Sequence, residues 1–245
     1  MPPRRLIDGI GGGDFKNTGQ EFLRYFVELG GLRSTDRVLD VGCGCGRMAV
    51  PLMPFLADSG EYWGFDIVWR GVEWCQKNIA ANDARFHFQL ADVYNPAYHR
   101  KGKYPAHKYR FPYQDGFFDF VFLTSIFTHM SAAEMENYLA EISRVLKPEG
   151  RCLVSFFLLN PESRDFVRRG QSKIDFKHEF PNGATSNPRL PEKAIAFDEA
   201  FVRSCFEREH LKLIDPIRYG SWCGRTRFVS FQDLLVAAKS DGLER

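Results

Sequence analysis

The chain has 245 residues, a length that suits one large α/β domain with a substantial core. Its 33 Lys/Arg and 31 Asp/Glu nearly cancel, which excludes a global field drawing in nucleic acid or an anionic membrane. No apolar run follows the two N-terminal arginines as a secretory leader requires, and none later is long enough to span a bilayer, so the expected compartment is the cytosol.

From Arg37 onward, short β-rich apolar runs alternate with segments of helical period, the pattern of a parallel sheet covered by helices on both faces. The first strand is predicted at Arg37 to Val41, followed by a glycine turn over 42–46 and a helix around 47–57 that Pro51 and Pro54 shorten or kink. A second strand runs from Glu61 to Asp66. A helix near 69–81 follows, its Val72, Cys75 and Ile79 recurring at helical steps. Arg85 to Leu90 and Phe117 to Thr124 read as the third and fourth strands, separated by a loop-rich segment, 94–116. The clearest helix is 131–147: Ser131 and Glu134 make a capping box, Met135, Leu139, Ile142 and Leu146 form the apolar stripe, and Pro148 with Gly150 ends it.

A fifth strand spans Arg151 to Leu158. Residues 160–197 read as one short helix plus an irregular surface excursion, a candidate lid. A helix near 198–208 precedes two β-like runs, Leu211 to Arg218 and Arg227 to Ala237, expected as an antiparallel hairpin. The expected organisation is one domain over 1–245, with an N-terminal cap segment of about 1–35 and surface insertions at about 94–116 and 160–197. Cysteines 43, 45, 75, 152, 205 and 223 lie mostly in apolar segments without CxxC or Cys/His spacing, so reduced thiols and no metal site are expected.

The central motif is Val38-Leu-Asp-Val-Gly-Cys-Gly-Cys-Gly-Arg47, a buried strand that stops in a glycine turn and opens a helix. Gly42, Gly44 and Gly46 let the backbone approach a ligand beyond the carboxyl end of the strand. A nicotinamide fingerprint would put a third spaced glycine at position 47, where the chain has Arg47. Asp66 ends the second strand, where a carboxylate can accept from both hydroxyls of a ribose. Asp92, after the third strand, is placed to meet an adenine amino group. Asp40 is an acid inside an apolar strand, costly to bury without a partner. Singly, each aspartate reads as a turn or cap residue; three at successive strand ends point to a ligand site.

The VLDVGCGCGR turn, Trp63-Gly-Phe-Asp66, Ala91-Asp92-Val93, the strand Phe118 to Leu123 and the block Tyr138 to Gly150 resemble class I, seven-strand, S-adenosylmethionine-dependent methyltransferases, over about Gly11 to Lys239. The resemblance implies a doubly wound, seven-stranded, mostly parallel sheet in the order 3-2-1-4-5-7-6 with strand seven antiparallel. It also implies S-adenosyl-L-methionine as cofactor and S-adenosyl-L-homocysteine as product. By the same analogy, Asp40 and the turn with Gly42, Cys43, Gly44 and Gly46 face the methionine moiety, Asp66 holds the ribose, with Ile67 beside it in the candidate cofactor set, and Asp92 with Val93 flanks the adenine. Thr124 and Ser125 complete the candidate cofactor set, and Gly12-Gly-Asp-Phe15 is the candidate approach segment, with Phe15 covering the cofactor.

Methyl transfer from a sulfonium is an in-line displacement, and a hydroxyl acceptor needs one base for its proton. Thr124-Ser-Ile-Phe-Thr-His129 leaves the carboxyl end of the fourth strand, which makes His129 the candidate base; its alternative role is packing at the start of the next helix. The insertion from His99 to Arg110 has five Lys/Arg and no acid, interleaved with tyrosines. It reads as a solvated loop first and as a phosphate- or base-binding surface second. Tyr94, Trp222 and Arg225 are acceptor-side candidates. An exposed Trp222 would stack on the acceptor, and packing on the 160–197 excursion is its alternative.

The Ser125 to Met130 segment, the Tyr94-Asn-Pro96 step and the late Trp222-to-Asp233 run resemble bacterial methyltransferases of surface glycans and small metabolites. Hydroxyl methylation of a saccharide, lipid-linked saccharide or other small molecule is the resulting expectation. RNA or protein methylation and a non-catalytic S-adenosylmethionine-binding module are the alternatives.

Overall fold

The structure is a computed structural model that describes residues 1–9, 13–96 and 98–240. Ile10, Gly11 and Gly12, the last being the first residue of the expected approach segment, lie outside the described residues, as do Ala97 of the first insertion and residues 241–245.

The sheet strands in chain order are β1 (Arg37–Val41), β2 (Glu61–Asp66), β3 (Phe86–Leu90), β4 (Phe118–Leu123), β5 (Leu146–Phe156), β6 (Leu158–Leu159), β7 (His178–Phe180), β8 (Gly183–Thr185), β9 (Ile195–Asp198), β10 (Leu211–Leu213) and β11 (Asp233–Lys239). Seven of them form the main sheet in the order β10-β11-β5-β4-β1-β2-β3. All its pairings are parallel except those of β11, which runs antiparallel to both β5 and β10. With β10 and β11 counted sixth and seventh, this is the expected 3-2-1-4-5-7-6 order.

The helices are α1 (Arg4–Gly9), α2 (Phe15–Glu28), α3 (Ala49–Leu52), α4 (Trp69–Cys75), α5 (Ala132–Val145), α6 (Pro161–Arg168) and α7 (Glu199–Arg208). None among the described residues is long and apolar enough to cross a membrane.

Alternation along the strands sorts side chains between the two faces of the main sheet. Leu39, Val41, Val121 and Leu123 meet Met135, Leu139 and Ile142 of α5 and Val202 and Phe206 of α7. Val38, Phe120 and Phe122 meet Tyr25 and Phe26 of α2, Leu52 of α3 and Val72 and Cys75 of α4. Phe26 stacks on Phe122 with ring centroids 4.2 Å apart, so α2 belongs to the covering layer.

Several elements differ from expectation for local reasons. The helix expected at 47–57 shrinks to the four residues of α3, with Pro51 inside it and Pro54 just beyond. The helix expected to 81 loosens after Cys75 into a π-type turn, Gln76–Ala80. Strand β5 begins at Leu146, but its pairing with β4 jumps from Phe118↔Leu146 to Phe120↔Arg151, so Lys147-Pro-Glu-Gly150 bulges out, with Glu149 at φ 59°. The run expected as a strand to Arg218 stops at Leu213, shortly before Pro216, and resumes only as a bridge between Arg218 and Leu234.

The largest correction concerns residues 160–197, expected to be one helix and an irregular excursion. They carry α6 and then strands of a second sheet, ordered β6-β9-β8-β7. Phe157, Leu159, Phe176, Ala184, Ala196 and Trp222 form a separate apolar cluster with this unit. Asp233, fully buried at the start of β11, ties it to the main sheet. Its carboxylate accepts from Leu158 N at 2.7 Å, Trp222 Nε1 at 2.8 Å and Gly220 N at 2.6 Å. Asp233→Ala would strand these donors at ~1–3 kcal/mol each. The expected outcome is a loss of at least about 3 kcal/mol of unfolding free energy, read by urea denaturation. A variant within about 0.5 kcal/mol of the parent would show that the anchor is not needed.

Candidate active site

β1 ends at Val41, and the chain turns through Gly42 (φ 89°), Gly44 (φ 55°) and Gly46 (φ 81°), all in the left-handed region that favours glycine. Space demands glycine as well: a Cβ on Gly42 would lie 2.5 Å from Ile126 Cδ1, and one on Gly46 2.8 Å from Ile79 Cδ1. The turn is fastened to the end of β2. Gly42 N and Cys43 N donate to Phe65 O, and Gly44 N donates to Asp66 Oδ2 at 2.8 Å. Asp66 Oδ1 accepts from Val68 N at 2.7 Å. Burial pushes the Asp66 pKa upward, against the pull of these backbone donors.

Asp40 is buried on the same face as Val38, where the Tyr62 hydroxyl donates to its Oδ2 at 2.6 Å. Burial drives its pKa up to about 8; the Tyr62 hydrogen bond works the other way and the nearby Asp66 charge adds to the rise. Asp40 therefore has the partner that a buried acid in an apolar strand requires.

A cavity of about 650 Å³ opens at the carboxyl ends of β1, β2 and β4. Of the sequence-predicted residues, Asp40, Gly42, Cys43, Gly44, Asp66, Ile67, Val93, Tyr94, Thr124, Ser125 and His129 line it. Gly46, Asp92, Phe15, Trp222 and Arg225 are not among the lining residues. Gly46 instead closes the turn from behind, against Ile79 and Cys75.

The Asp92 carboxylate faces the 94–116 insertion: His99 Nε2 lies 3.1 Å from its Oδ1 and Lys103 Nζ 3.6 Å from its Oδ2. The His99 hydrogen bond holds its pKa below the ordinary carboxylate range. Two basic residues of the insertion thus secure its own fold.

Phe15 is buried at the start of α2, with the Arg47 guanidinium 5.9 Å from its ring. Further along α2, Thr18 and Phe22 reach the cavity instead. They sit three and seven residues on, the spacing of one helical face.

Trp222 is fully buried in the cluster of the second sheet, which answers the choice between stacking surface and packing in favour of packing. Arg225 is buried beside it, with Nε donating to Glu162 at 2.8 Å and the guanidinium over the Tyr219 ring.

The stretch of wall that follows β4 begins with Ser125, at φ 60°, an unusual backbone state for a residue with a side chain. A ring of hydrogen bonds holds it there. Ser125 N donates to Ser155 Oγ, Ser155 Oγ to Gln232 Oε1, and Gln232 Nε2 to Ser125 Oγ. His129 ends a 3₁₀ turn, Phe127–His129, with its Nδ1 2.8 Å from the backbone oxygen of Glu192. Tyr98, Ile126, Tyr138, Phe231 and Gln232 also line the cavity. Sequence reasoning missed them because they come from four segments that only the fold brings together.

The comparisons with known proteins agree with this geometry. A family model described as a methyltransferase domain matches residues 38–150, the stretch from β1 to the bulge in β5. Residues 38–150 thus carry a methyltransferase domain. Among curated relatives, the domain is similar to the tRNA N(3)-cytidine methyltransferase METTL2 of Gallus gallus, at 24% identity over 159 residues, 64% of this chain and 38% of the relative. It is also similar to the 27-O-demethylrifamycin SV methyltransferase of Amycolatopsis mediterranei, at 29% identity over 131 residues, 53% of this chain and 42% of the relative. The chain thus spans about two fifths of the length of these relatives. Among solved structures, magnesium protoporphyrin IX methyltransferase from Synechocystis PCC 6803 with bound SAH shares the fold at 17% identity and a TM-score of 0.56, over 91% of this chain and 83% of that one.

The buried acids of the methyltransferase domain give its stability a pH dependence. Folded Asp40 keeps its proton up to about pH 8. The unfolded chain releases it near ~3.9. The contribution of this group is therefore fully present below ~3.9 and is lost as pH rises through about 8. Asp66 and Asp233 are shifted the same way. The expected result is that Asp40→Asn reduces the fall in Tm across this window without abolishing it; a parallel Tm–pH curve for the variant would contradict the assignment.

Proposed function

We propose that the domain transfers a methyl group to a hydroxyl of a small molecule or saccharide, with His129 as the base. The observation that carries this reading is one continuous cavity lined by the glycine turn, Asp40 and Asp66 together with His129. S-adenosylmethionine, when bound, supplies a methyl group on a positively charged sulfur. The residues present suit it. Asp66 has a lone pair to spare on each oxygen for ribose hydroxyls, and Asp40 is a neutral acid that the charge of the methionine end would draw toward ionisation, while Ile67, Val68 and Val93 are apolar wall for a base. Thr18 and Phe22 of α2 cover the same side, in the role expected of Phe15.

His129 would accept the hydroxyl proton as the acceptor oxygen bonds to the methyl carbon. The carbon–sulfur electron pair stays with sulfur, and the imidazolium then gives its proton to water. Tyr94, Tyr98 and Phe231 supply aromatic surface to the acceptor. Arg47, near the glycine turn, is the only Lys or Arg lining the cavity among the described residues, which supports an uncharged acceptor over a phosphate-rich one. The tRNA relatives make RNA the competing acceptor. We read 1–245 as one catalytic domain, with α2 as cap and the insertions as acceptor walls. The six unpaired, buried cysteines support a reducing, cytosolic setting.

Calorimetric titration with S-adenosylmethionine and S-adenosylhomocysteine is the first test. Asp66→Ala is expected to weaken both on the order of 100-fold, from two charge-assisted hydrogen bonds at ~1.5 kcal/mol each. No binding to the parent would sink the proposal. A second measurement follows labelled methyl groups into a panel of hydroxylated small molecules, saccharides and tRNA. His129→Ala is expected to slow transfer by ~10²–10⁴-fold while cofactor affinity is kept. Label on tRNA alone would replace the small-molecule reading with the RNA one, and binding without transfer to any acceptor would favour a non-catalytic module.

A further inference from the structure

The hydrogen bond from His129 to Glu192 decides more than where the ring sits. A backbone carbonyl oxygen only accepts, so at 2.8 Å the proton between the two groups belongs to Nδ1. In the neutral ring the other nitrogen, Nε2, is then the acceptor. The carbonyl comes from the 160–197 excursion, from a single turn, Pro191–Lys193. That turn is braced: Lys193 N donates to Leu190 O, and Thr185 Oγ1 lies 2.9 Å from Pro191 O and 3.0 Å from Ala194 O, on either side of Glu192. The chain continues from it into β9, which is paired on both edges within the second sheet. On the other side, Phe127 is buried and stacks on Phe156 with centroids 4.8 Å apart, which fixes the turn that carries His129.

We propose that the Pro191–Lys193 turn is a positioning element for His129, its Glu192 carbonyl selecting the Nδ1–H tautomer and leaving Nε2 as the proton acceptor. The second sheet is then the scaffold that holds one oxygen atom in place, and the excursion contributes to the chemistry without touching the reacting atoms. This rests on His129 as the base.

The test reads the tautomer directly. Long-range ¹H–¹⁵N correlation spectra of the full chain, taken well above ~6.5 where an ordinary imidazole is neutral, report which ring nitrogen carries hydrogen. The His129 signals are those missing from His129→Asn. The expected result is a ring protonated on Nδ1; dominance of the Nε2–H form would overturn the proposal. Replacing Lys193 by its α-hydroxy analogue turns the Glu192 carbonyl into an ester carbonyl, a weaker acceptor, with every side chain intact. The Nε2–H share is expected to rise severalfold, and an unchanged share would also overturn the proposal. Retained binding of S-adenosylhomocysteine certifies the fold of the variant. If the tautomer behaves as expected but His129→Ala keeps full methyl transfer, the base assignment fails and the positioning contact stands.

Discussion

A carboxylate divided between two backbone turns organises the cofactor side of this domain. One oxygen of Asp66 takes the amide of Gly44, after β1, and the other takes the amide of Val68, after β2. Burying an acid opposes its ionisation, and those amides offset part of that cost. Neighbouring residues answer to the same constraint. Gly64 pairs with Asp40 across the sheet, and a Cβ there would come within 2.9 Å of Cys43 Cβ. The tetrapeptide Trp63-Gly-Phe-Asp66 thus gives the glycine turn both its room and its tether. Tyr62, one residue earlier, adds the partner that Asp40 needs.

The main sheet was legible because its signals are local. β1 and β2 begin and end where their apolar runs do, and α5 starts at its capping box. The glycine turn with Asp40 and Asp66 was legible for the same reason: each lies within a few residues of a strand end. Asp92 looked equivalent by position. Yet its environment is set by His99 and Lys103, which fold back on it from seven and eleven residues away. Trp222 and Arg225 were misplaced at the rim because a Gly-rich loop reads as exposed. Their burial depends on Asp233, and on Glu162 and the strands of the second sheet, which lie far away in sequence.

The second sheet was illegible for a different reason. Its strands have two to four residues, too few for a period to register, and their loops carry the Pro, Gly and Asn that signal irregular chain. The acceptor wall suffers similarly. Phe231 and Gln232 approach the cavity from a loop that α2 holds in place, the Tyr25 hydroxyl donating to Val229 O at 2.5 Å. No spacing in the sequence announces a contact across 204 residues.

The 94–116 insertion is bound to α5 by side chains that are not among those lining the cavity. Asn137 donates to the carbonyls of Ala106 and Tyr109, Glu141 accepts from Phe111 N, and Arg144 reaches the carbonyls of Phe111 and Tyr113. Its far end is thus clamped from Ala106 onward, while Tyr94, Asn95, Pro96 and Tyr98 near its start line the pocket and Ala106 belongs to both. Such a layout lets evolution rewrite the pocket-facing stretch while the clamp keeps the loop folded. Descendants of one ancestor can then diverge in what they recognise without renegotiating the floor beneath.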